Sequence, residues 1–223
     1  TDFFHRVILY GLFPFANRMR MALWPARVAQ WFRMDDLAEG FGLLNLLPVR
    51  LLRMHRLLPK LPADSPALPE FLPAIGTRRA RVALFTGCVS DAIFRHVHWA
   101  TALVLQQNGC DVVIPPRQKC CGAIHYHSGA DAPAMDLARC NVQEIDTANV
   151  DAVIANVAGC GSMLKDYGHI AHELDPADST RAERFGRFAK KVRDVQEFLM
   201  ELGPIAPQGE LKLRVCYQDA CHL

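Results

Sequence analysis

Two adjacent cysteines followed by a glycine, Cys120-Cys121-Gly122, constrain this chain more than any other feature, because of what flanks them. Cys88 lies 32 positions before Cys120, and Cys160 lies 39 positions after Cys121. Neighbouring thiols in one loop are poorly placed to bond to each other, since the intervening peptide must be strained to reach disulfide geometry. A soft metal centre takes them without strain. Thiolates are preferred ligands of zinc and of iron–sulfur clusters, and a cluster with several irons accepts neighbouring cysteines on different atoms. The spacing therefore reads as a ligand set gathered from three separate loops.

Those loops occupy equivalent places in a repeating pattern. Arg81 to Thr86 is a short apolar run rich in β-formers, ended by Gly87-Cys88, and predicts a buried strand. From Asp91 to Asn108 the residues Ile93, Phe94, Val97, Ala100, Leu103 and Val104 recur at helical spacing, with Ser90 or Asp91 as N-cap and Gly109 as C-cap. Asp111 to Ile114 predicts a second strand, closed by Pro115-Pro116 ahead of the twin cysteines. A helix over Ala132 to Thr147 and a third strand over Asp151 to Ala155 follow, the strand ending at Ala158-Gly159-Cys160-Gly161. Arg181 to Leu202, with Phe185, Phe188, Val192, Val195 and Leu199, reads as one amphipathic core helix stopped by Gly203-Pro204. This alternation predicts an α/β fold: a parallel sheet with flanking helices, whose ligands sit just beyond the carboxyl ends of the strands. Cys88, Cys120, Cys121 and Cys160 all fall there. Cys88 and Cys160 are each expected to precede a helix, whose unpaired N–H groups and dipole stabilise thiolates.

The first 75 residues have a different character. Phe3-Phe4, Val7-Ile8-Leu9-Tyr10 and Phe13-Pro14-Phe15 are interrupted by Arg18, Arg20, Arg27 and Arg33, and no window reaches the roughly 18 uncharged apolar residues of a membrane span. Arg50, Arg53 and Arg56 form a basic stripe beside Leu51, Leu52, Leu57 and Leu58, a pattern open to an interfacial helix. Short helices packed on a neighbouring domain or on the first α/β layer are favoured, because Pro14, Pro25 and Pro48 break any long amphipathic surface. Pro59, Pro62, Pro66, Pro69 and Pro73 mark a semi-rigid linker. The formal net charge of +2 gives no reason to expect nucleic acid as a partner. Eight cysteines placed in strand-end loops favour metal ligation in a reducing, cytoplasmic setting over disulfides.

At this point the motifs become specific. Gly87-Cys88-Val89-Ser90, Cys120-Cys121-Gly122-Ala123-Ile124-His125-Tyr126-His127 and Gly159-Cys160-Gly161-Ser162-Met163-Leu164-Lys165-Asp166-Tyr167-Gly168 together resemble the cysteine-rich domain named for its Cys-Cys-Gly motif. That family occurs in heterodisulfide reductase, in glycerol-3-phosphate dehydrogenase and lactate-utilisation proteins, and in the iron–sulfur subunit of glycolate oxidase, whose version is similar in detail. Heterodisulfide reductase carries Cys-x-x-Cys at the third loop. Here Met163 stands at the last position, which leaves four ligands, Cys88, Cys120, Cys121 and Cys160. The resemblance implies an iron–sulfur cluster of 4Fe-4S type and an electron-transfer subunit with no catalytic residue of its own. It further implies FAD on a flavin-containing partner subunit that oxidises glycolate, electrons leaving toward a quinone or another acceptor, and peripheral contact of the complex with the inner face of the membrane. Lactate, glycerol-3-phosphate and heterodisulfide complexes are the alternatives. The domains read as a helical and Pro-rich linker region at 1–77, a first cysteine-rich domain at 78–210, and the start of a second copy at 211–223. In that copy Leu211 to Cys216 is expected as a strand and Cys221 as a ligand of a second, incomplete site. The chain reads as an interior fragment.

Two other chemistries fit the same thiols. A structural four-cysteine zinc site uses all four, though adjacent ligands are unusual beside the spaced pairs of zinc knuckles. A thiol–disulfide enzyme uses Cys120 or Cys121 as nucleophile, against which stands the lack of a Cys-x-x-Cys pair. Cys110 and Cys140 read as small buried hydrophobes. His125 and His127 lie near enough to reach the site, as hydrogen-bond partners or loop packing rather than ligands. His96, His98, His169 and His172 read as structural, and Lys165 either offsets cluster charge or sits on a solvated helix face.

Overall fold

In the computed structural model, which describes residues 4–207, 209–210 and 212–216, the chain opens with short helices. A π-helical turn, Phe4–Leu9, precedes α1 (Ala16–Trp31), α2 (Met34–Gly40), a 3-10 turn at Leu43–Leu46 and α3 (Val49–Leu57). Pro48 stands at the N-cap of α3, but α1 continues through Pro25 instead of breaking there. The first half of α1 keeps its course because tertiary contacts hold its second half: Arg27 donates to the Pro62 carbonyl at 2.7 Å and to the Ala92 carbonyl at 2.9 Å. Leu9 and Met19 are the buried apolar side chains described in this region, while Trp24, Trp31, Phe41, Leu46 and Leu57 remain largely exposed.

The Pro-rich segment is strapped along the α/β layer. Proline offers a carbonyl and no N–H, and side chains of the following helix use those carbonyls: Trp99 Nε1 donates to Pro66 at 2.9 Å and Gln106 Nε2 to Pro73 at 2.7 Å. The segment ends in a short strand, β1 (Phe71–Leu72), that pairs antiparallel with Val112 and Val113. This edge strand was not legible in the sequence.

Beyond it the alternation holds. The elements are β2 (Ala80–Phe85), α4 (Val89–Ile93), α5 (Arg95–Gln107), β3 (Cys110–Val113), α6 (Ala123–His127), α7 (Asp131–Ala148), β4 (Ala152–Ala155), α8 (Ala158–Leu174), α9 (Ser179–Ala189), β5 (Val192–Asp194) and α10 (Val195–Leu202). The strand order is β1-β3-β2-β4-β5, parallel throughout except for β1. Strands with both faces covered read as continuous apolar runs, and Val82, Ala83, Leu84, Val153 and Ile154 are fully buried. Val82, Leu84, Val112 and Ile154 pack with Ala102, Leu105 and Phe198 on one face. Ala83, Phe85, Val153 and Ala155 pack with Ala138, Val142, Leu164 and Phe188 on the other.

Three expectations are corrected here. The single helix over Asp91–Asn108 is two, interrupted at Phe94, with Arg95 turned back onto Asp91 in a two-pronged ion pair of 2.5–2.7 Å. The single helix over Arg181–Leu202 is α9, a strand and α10: Val192 is apolar and β-branched, it pairs with Val153, and Asp194 caps α10 in a reciprocal box with Glu197. Residues 212–216 are irregular rather than a strand, and Leu211 and Cys221 lie outside the described residues.

Candidate metal centre

Connections leave β2 toward β3 on one side and β4 toward β5 on the other, so the sheet's direction switches between the carboxyl ends of β2 and β4. Crevices form at such points. Cys88 follows β2 and caps α4, and Cys160 follows β4. Cys160 is not ahead of its helix, as the sequence suggested, but in the first turn of α8. The two strand ends meet closely: a Cβ on Gly87, which has φ +67, would lie 3.5 Å from Cys160 Sγ.

The twin-cysteine loop completes the group. Cys88 Sγ and Cys120 Sγ are 3.2 Å apart, Cys120 contacts Cys121, and Cys121 contacts Cys160. Cys88, Cys120 and Cys121 are buried, and Cys160 is half-buried. Cys88, Cys110, Cys120, Cys121, Cys140 and Cys160 are free thiols. Contact splits their acidities. Cys120, receiving S–H from Cys121 and Cys88 and N–H from Gly122, is pulled down to about 3. Cys160 is lowered by the Cys121 thiol. Cys88 is pushed up, first by the bond it gives to Cys120 and then by burial, and Cys121 by the bonds it gives to Cys120 and Cys160 and then by burial.

Among the described residues no three His, Cys, Asp or Glu side chains stand ready-made around one ion. The thiols form a chain of contacts instead, and 3.2 Å is closer than the roughly 3.8 Å that separates thiolates on one tetrahedral metal with bonds of about 2.3 Å. A single tetrahedral metal would need the Cys88 and Cys120 sulfurs further apart than they stand. The donor chemistry nonetheless fits a soft centre: four thiols, no carboxylate between them, N–H groups close by, and burial against water.

The loop is fixed from below by α7 and α8. Glu144 accepts from Arg117, backbone and side chain, at 3.2 and 3.1 Å. One turn earlier on the same helix face, Asn141 accepts from the Lys119 N–H at 2.7 Å and donates to the Cys120 carbonyl at 3.0 Å. Tyr167 Oη donates to the Cys121 carbonyl at 2.8 Å. Burial keeps the Tyr167 phenol protonated by pushing its pKa well up. Gly122 has φ +88, and a Cβ there would meet the Ala134 carbonyl oxygen at 3.2 Å, so glycine is required by both conformation and space. Gln118 ties the loop sideways to β2, accepting from the Thr86 N–H at 2.9 Å.

The remaining candidates divide. His125 is 1% exposed beside Cys120, its ring against Tyr10 at 5.5 Å and the Leu9 carbonyl, and burial lowers its pKa; His127 is exposed. Lys165 pairs with Glu197 at 2.9 Å, on a solvated face. His98 is buried, bonded to Asn156 at 3.1 Å, and burial takes it down to about 4, while His96, His169 and His172 are exposed on their helices. Cys110 is buried in β3 as expected, but Cys140 is exposed: it lies on the outer face of α7, next to Arg139 and beyond the stripe of Met135, Ala138 and Val142. Asn141 escaped the sequence reading, although its position one turn from Ala138 and Ile145 on an apolar stripe was a signal of a buried amide. A cavity of about 580 Å³ opens beside the centre, with Thr86, Gly87, Gln118 and Lys119 on one wall and Phe15 and Arg18 on the other.

Residues 82–165, which contain all four thiols, match the family model of the cysteine-rich domain CCG, and residues 1–58 match the linker region of the glycolate oxidase iron-sulfur subunit. A probable glycolate oxidase iron-sulfur subunit of Bacillus subtilis is 39% identical over 98% of the chain and 49% of its own length. An uncharacterized iron-sulfur protein of Methanocaldococcus jannaschii is 32% identical over 88% of the chain and 37% of its own length. Lactate utilization protein A of Exiguobacterium is 29% identical over 64% of the chain and 57% of its own length. The chain thus spans about half the length of the curated relatives it matches. No solved structure matches it.

Proposed function

From a chain that belongs to the cysteine-rich CCG domain family and carries the linker region of glycolate oxidase iron-sulfur subunits, we propose an iron–sulfur electron-transfer component of a glycolate-oxidising complex. The observation that carries the reading is the contact of Cys88, Cys120, Cys121 and Cys160, the first three buried, beyond the carboxyl ends of β2, β3 and β4. In this reading the four thiols hold one cluster, of 4Fe-4S type, which when bound accepts and passes on single electrons. The chain's own residues bury the sulfurs, supply N–H donors and fix the loops. The sequence has no Gly-x-Gly-x-x-Gly turn between a strand and a helix and no nucleophile–base set, so substrate oxidation falls to a flavin-bearing partner subunit, with electrons leaving toward a quinone. Residues 211–223 open a second copy of the domain at 78–210, and Cys221 serves that copy's own centre. A lactate-oxidising complex is the second reading, favoured by the likeness to lactate utilization protein A.

No helix among the described residues is long and apolar enough to cross a membrane. Attachment in this reading is peripheral: α3 and its flanks expose Leu46, Val49, Leu51 and Leu57, and residues 41–63 carry Arg50, Arg53, Arg56 and Lys60 with no acidic residue. That combination suits an anionic bilayer surface.

The deciding experiment is iron and acid-labile sulfide analysis of protein purified without oxygen. Iron and sulfide in equal amounts are expected. Stoichiometric zinc without sulfide, or metal-free protein with redox-active Cys120, would overturn the reading in favour of a structural zinc site or a thiol enzyme.

A further inference from the structure

Tyr167 and Asn141 are fully buried, and together they hold three successive residues of the twin-cysteine loop. Tyr167 Oη donates to the Cys121 carbonyl at 2.8 Å. Asn141 Nδ2 donates to the Cys120 carbonyl at 3.0 Å and to Tyr167 Oη at 3.2 Å, and its Oδ1 takes the Lys119 N–H at 2.7 Å. A peptide group is planar, with its C=O and N–H pointing in opposite directions. The carbonyl of Cys121 and the amide of Gly122 belong to one such group. With the oxygen held on Tyr167, the N–H is turned the other way, and it meets Cys120 Sγ at 3.4 Å.

We propose that Tyr167, supported by Asn141, is a positioning residue for the metal centre: it locks the Cys121–Gly122 peptide so that its N–H donates to the Cys120 sulfur and raises the centre's reduction potential. The inference rests on the reading of the four thiols as iron–sulfur ligands. An N–H···S bond stabilises the more negative, reduced state, and such outer contacts tune the potential of a cluster. Packing is a separate contact of the same ring. Tyr167 stacks on Phe188 with centroids 5.6 Å apart and an interplanar angle of 21°.

Tyr167→Phe removes one hydroxyl and keeps the ring. The variant should contain as much iron and sulfide as the parent, with a midpoint potential displaced to more negative values and an altered EPR signal in the reduced state. In the metal-free chain the Gly122 amide should exchange its hydrogen faster. Phe188→Leu disturbs the stack without touching the hydrogen bonds, and should lower the melting temperature while leaving the potential in place. If Tyr167→Phe fails to accumulate, Asn141→Ser is the second variant; it also removes the bonds to Lys119 and Cys120, so there the Gly122 exchange, which reports release of the Cys121–Gly122 peptide, decides. An unchanged potential and unchanged Gly122 exchange in the variant overturn the clamp, as does an equal displacement of potential by Phe188→Leu. Parent protein free of iron instead overturns the functional reading, and the exchange measurement then still tests the clamp.

Discussion

Adding one methyl group at either of two facing glycines should have opposite effects on stability. Gly168 on α8 and Gly186 on α9 lie where the two helices approach each other. A Cβ on Gly168 would fall 2.7 Å from Gly186 Cα, 2.8 Å from Gly186 N and 3.4 Å from the Ala182 carbonyl oxygen. Those atoms are backbone, so relief requires the helices to separate. Overpacking costs about 1–3 kcal/mol, and the rigidity of both partners places this case at the upper end. Better helix propensity returns about 1 kcal/mol, leaving Gly168→Ala destabilised by about 2 kcal/mol. For a chain of this size that lowers Tm by about 4–8 °C. A Cβ on Gly186 meets nothing within 4 Å, so Gly186→Ala should gain about 0.5–1 kcal/mol from reduced freedom of the unfolded chain. Urea unfolding of both variants reads the difference as midpoints displaced in opposite directions at constant slope. A Gly168→Ala midpoint at or above that of the parent would refute the close approach, and with it the packing that seats Tyr167 one residue away.

Serine at Cys88, Cys120, Cys121 or Cys160 should abolish or alter the visible absorption and EPR signal of the anaerobically purified protein, whereas Cys140→Ala, on the exposed face of α7, should leave both intact. An unchanged spectrum in any one of the four removes that residue from the ligand set. His98 provides a pH test. Its folded pKa, about 4, lies below the ordinary 6.5, so its contribution is fully present above pH 6.5 and is lost as pH falls toward 4, by about 3 kcal/mol in all. The stability difference between the parent and His98→Gln should therefore shrink on acidification through that window, and a constant difference in urea midpoints would show that the imidazole is not held neutral. Co-sedimentation with anionic vesicles should exceed that with neutral ones and fall several-fold when Arg50, Arg53 and Arg56 are replaced by Gln; equal binding to both vesicle types would exclude α3 as a lipid-facing segment.

The parallel core was legible because buried strands announce themselves as uninterrupted apolar runs. Arg81–Thr86, Asp111–Ile114 and Asp151–Ala155 each fall within one residue of an observed strand. The candidate site was legible for a related reason: in such a sheet chemistry collects at one edge, and each of the four thiols lies in a connection that follows a strand of that kind. What escaped was decided by tertiary contact. Phe71–Leu72 pairs with β3 although five prolines surround it, because an edge strand needs partners on one side only. Val192–Asp194 sits inside a helical periodicity that runs from Phe185 to Leu199, and pairing with β4 overrides it over three residues. Pro25 survives inside α1 because Arg27 is anchored to Pro62 and Ala92. The exposure of Cys140 follows from helical phase, which outweighs its residue type: two residues after Ala138, it faces away from the buried stripe.

The topology also gives a reason for two cysteines in adjacent positions. In the order β3-β2-β4 the strand ahead of the twin-cysteine loop is separated from β4 by β2, so the loop must reach across the end of β2 to meet Cys160. One side chain cannot satisfy both neighbours. Cys120 meets Cys88, which closes β2, while Cys121 meets Cys160 in the first turn of α8. Adjacent thiols thus join two strand ends through a single loop, which explains why that loop is fixed so firmly from behind. Asn141 and Glu144 hold it from α7, Tyr167 from α8, and Thr86 from the end of β2 through Gln118. These bonds act mainly on the loop's backbone, so the sulfurs can still turn about the Cα–Cβ bond while the loop that carries them stays in place.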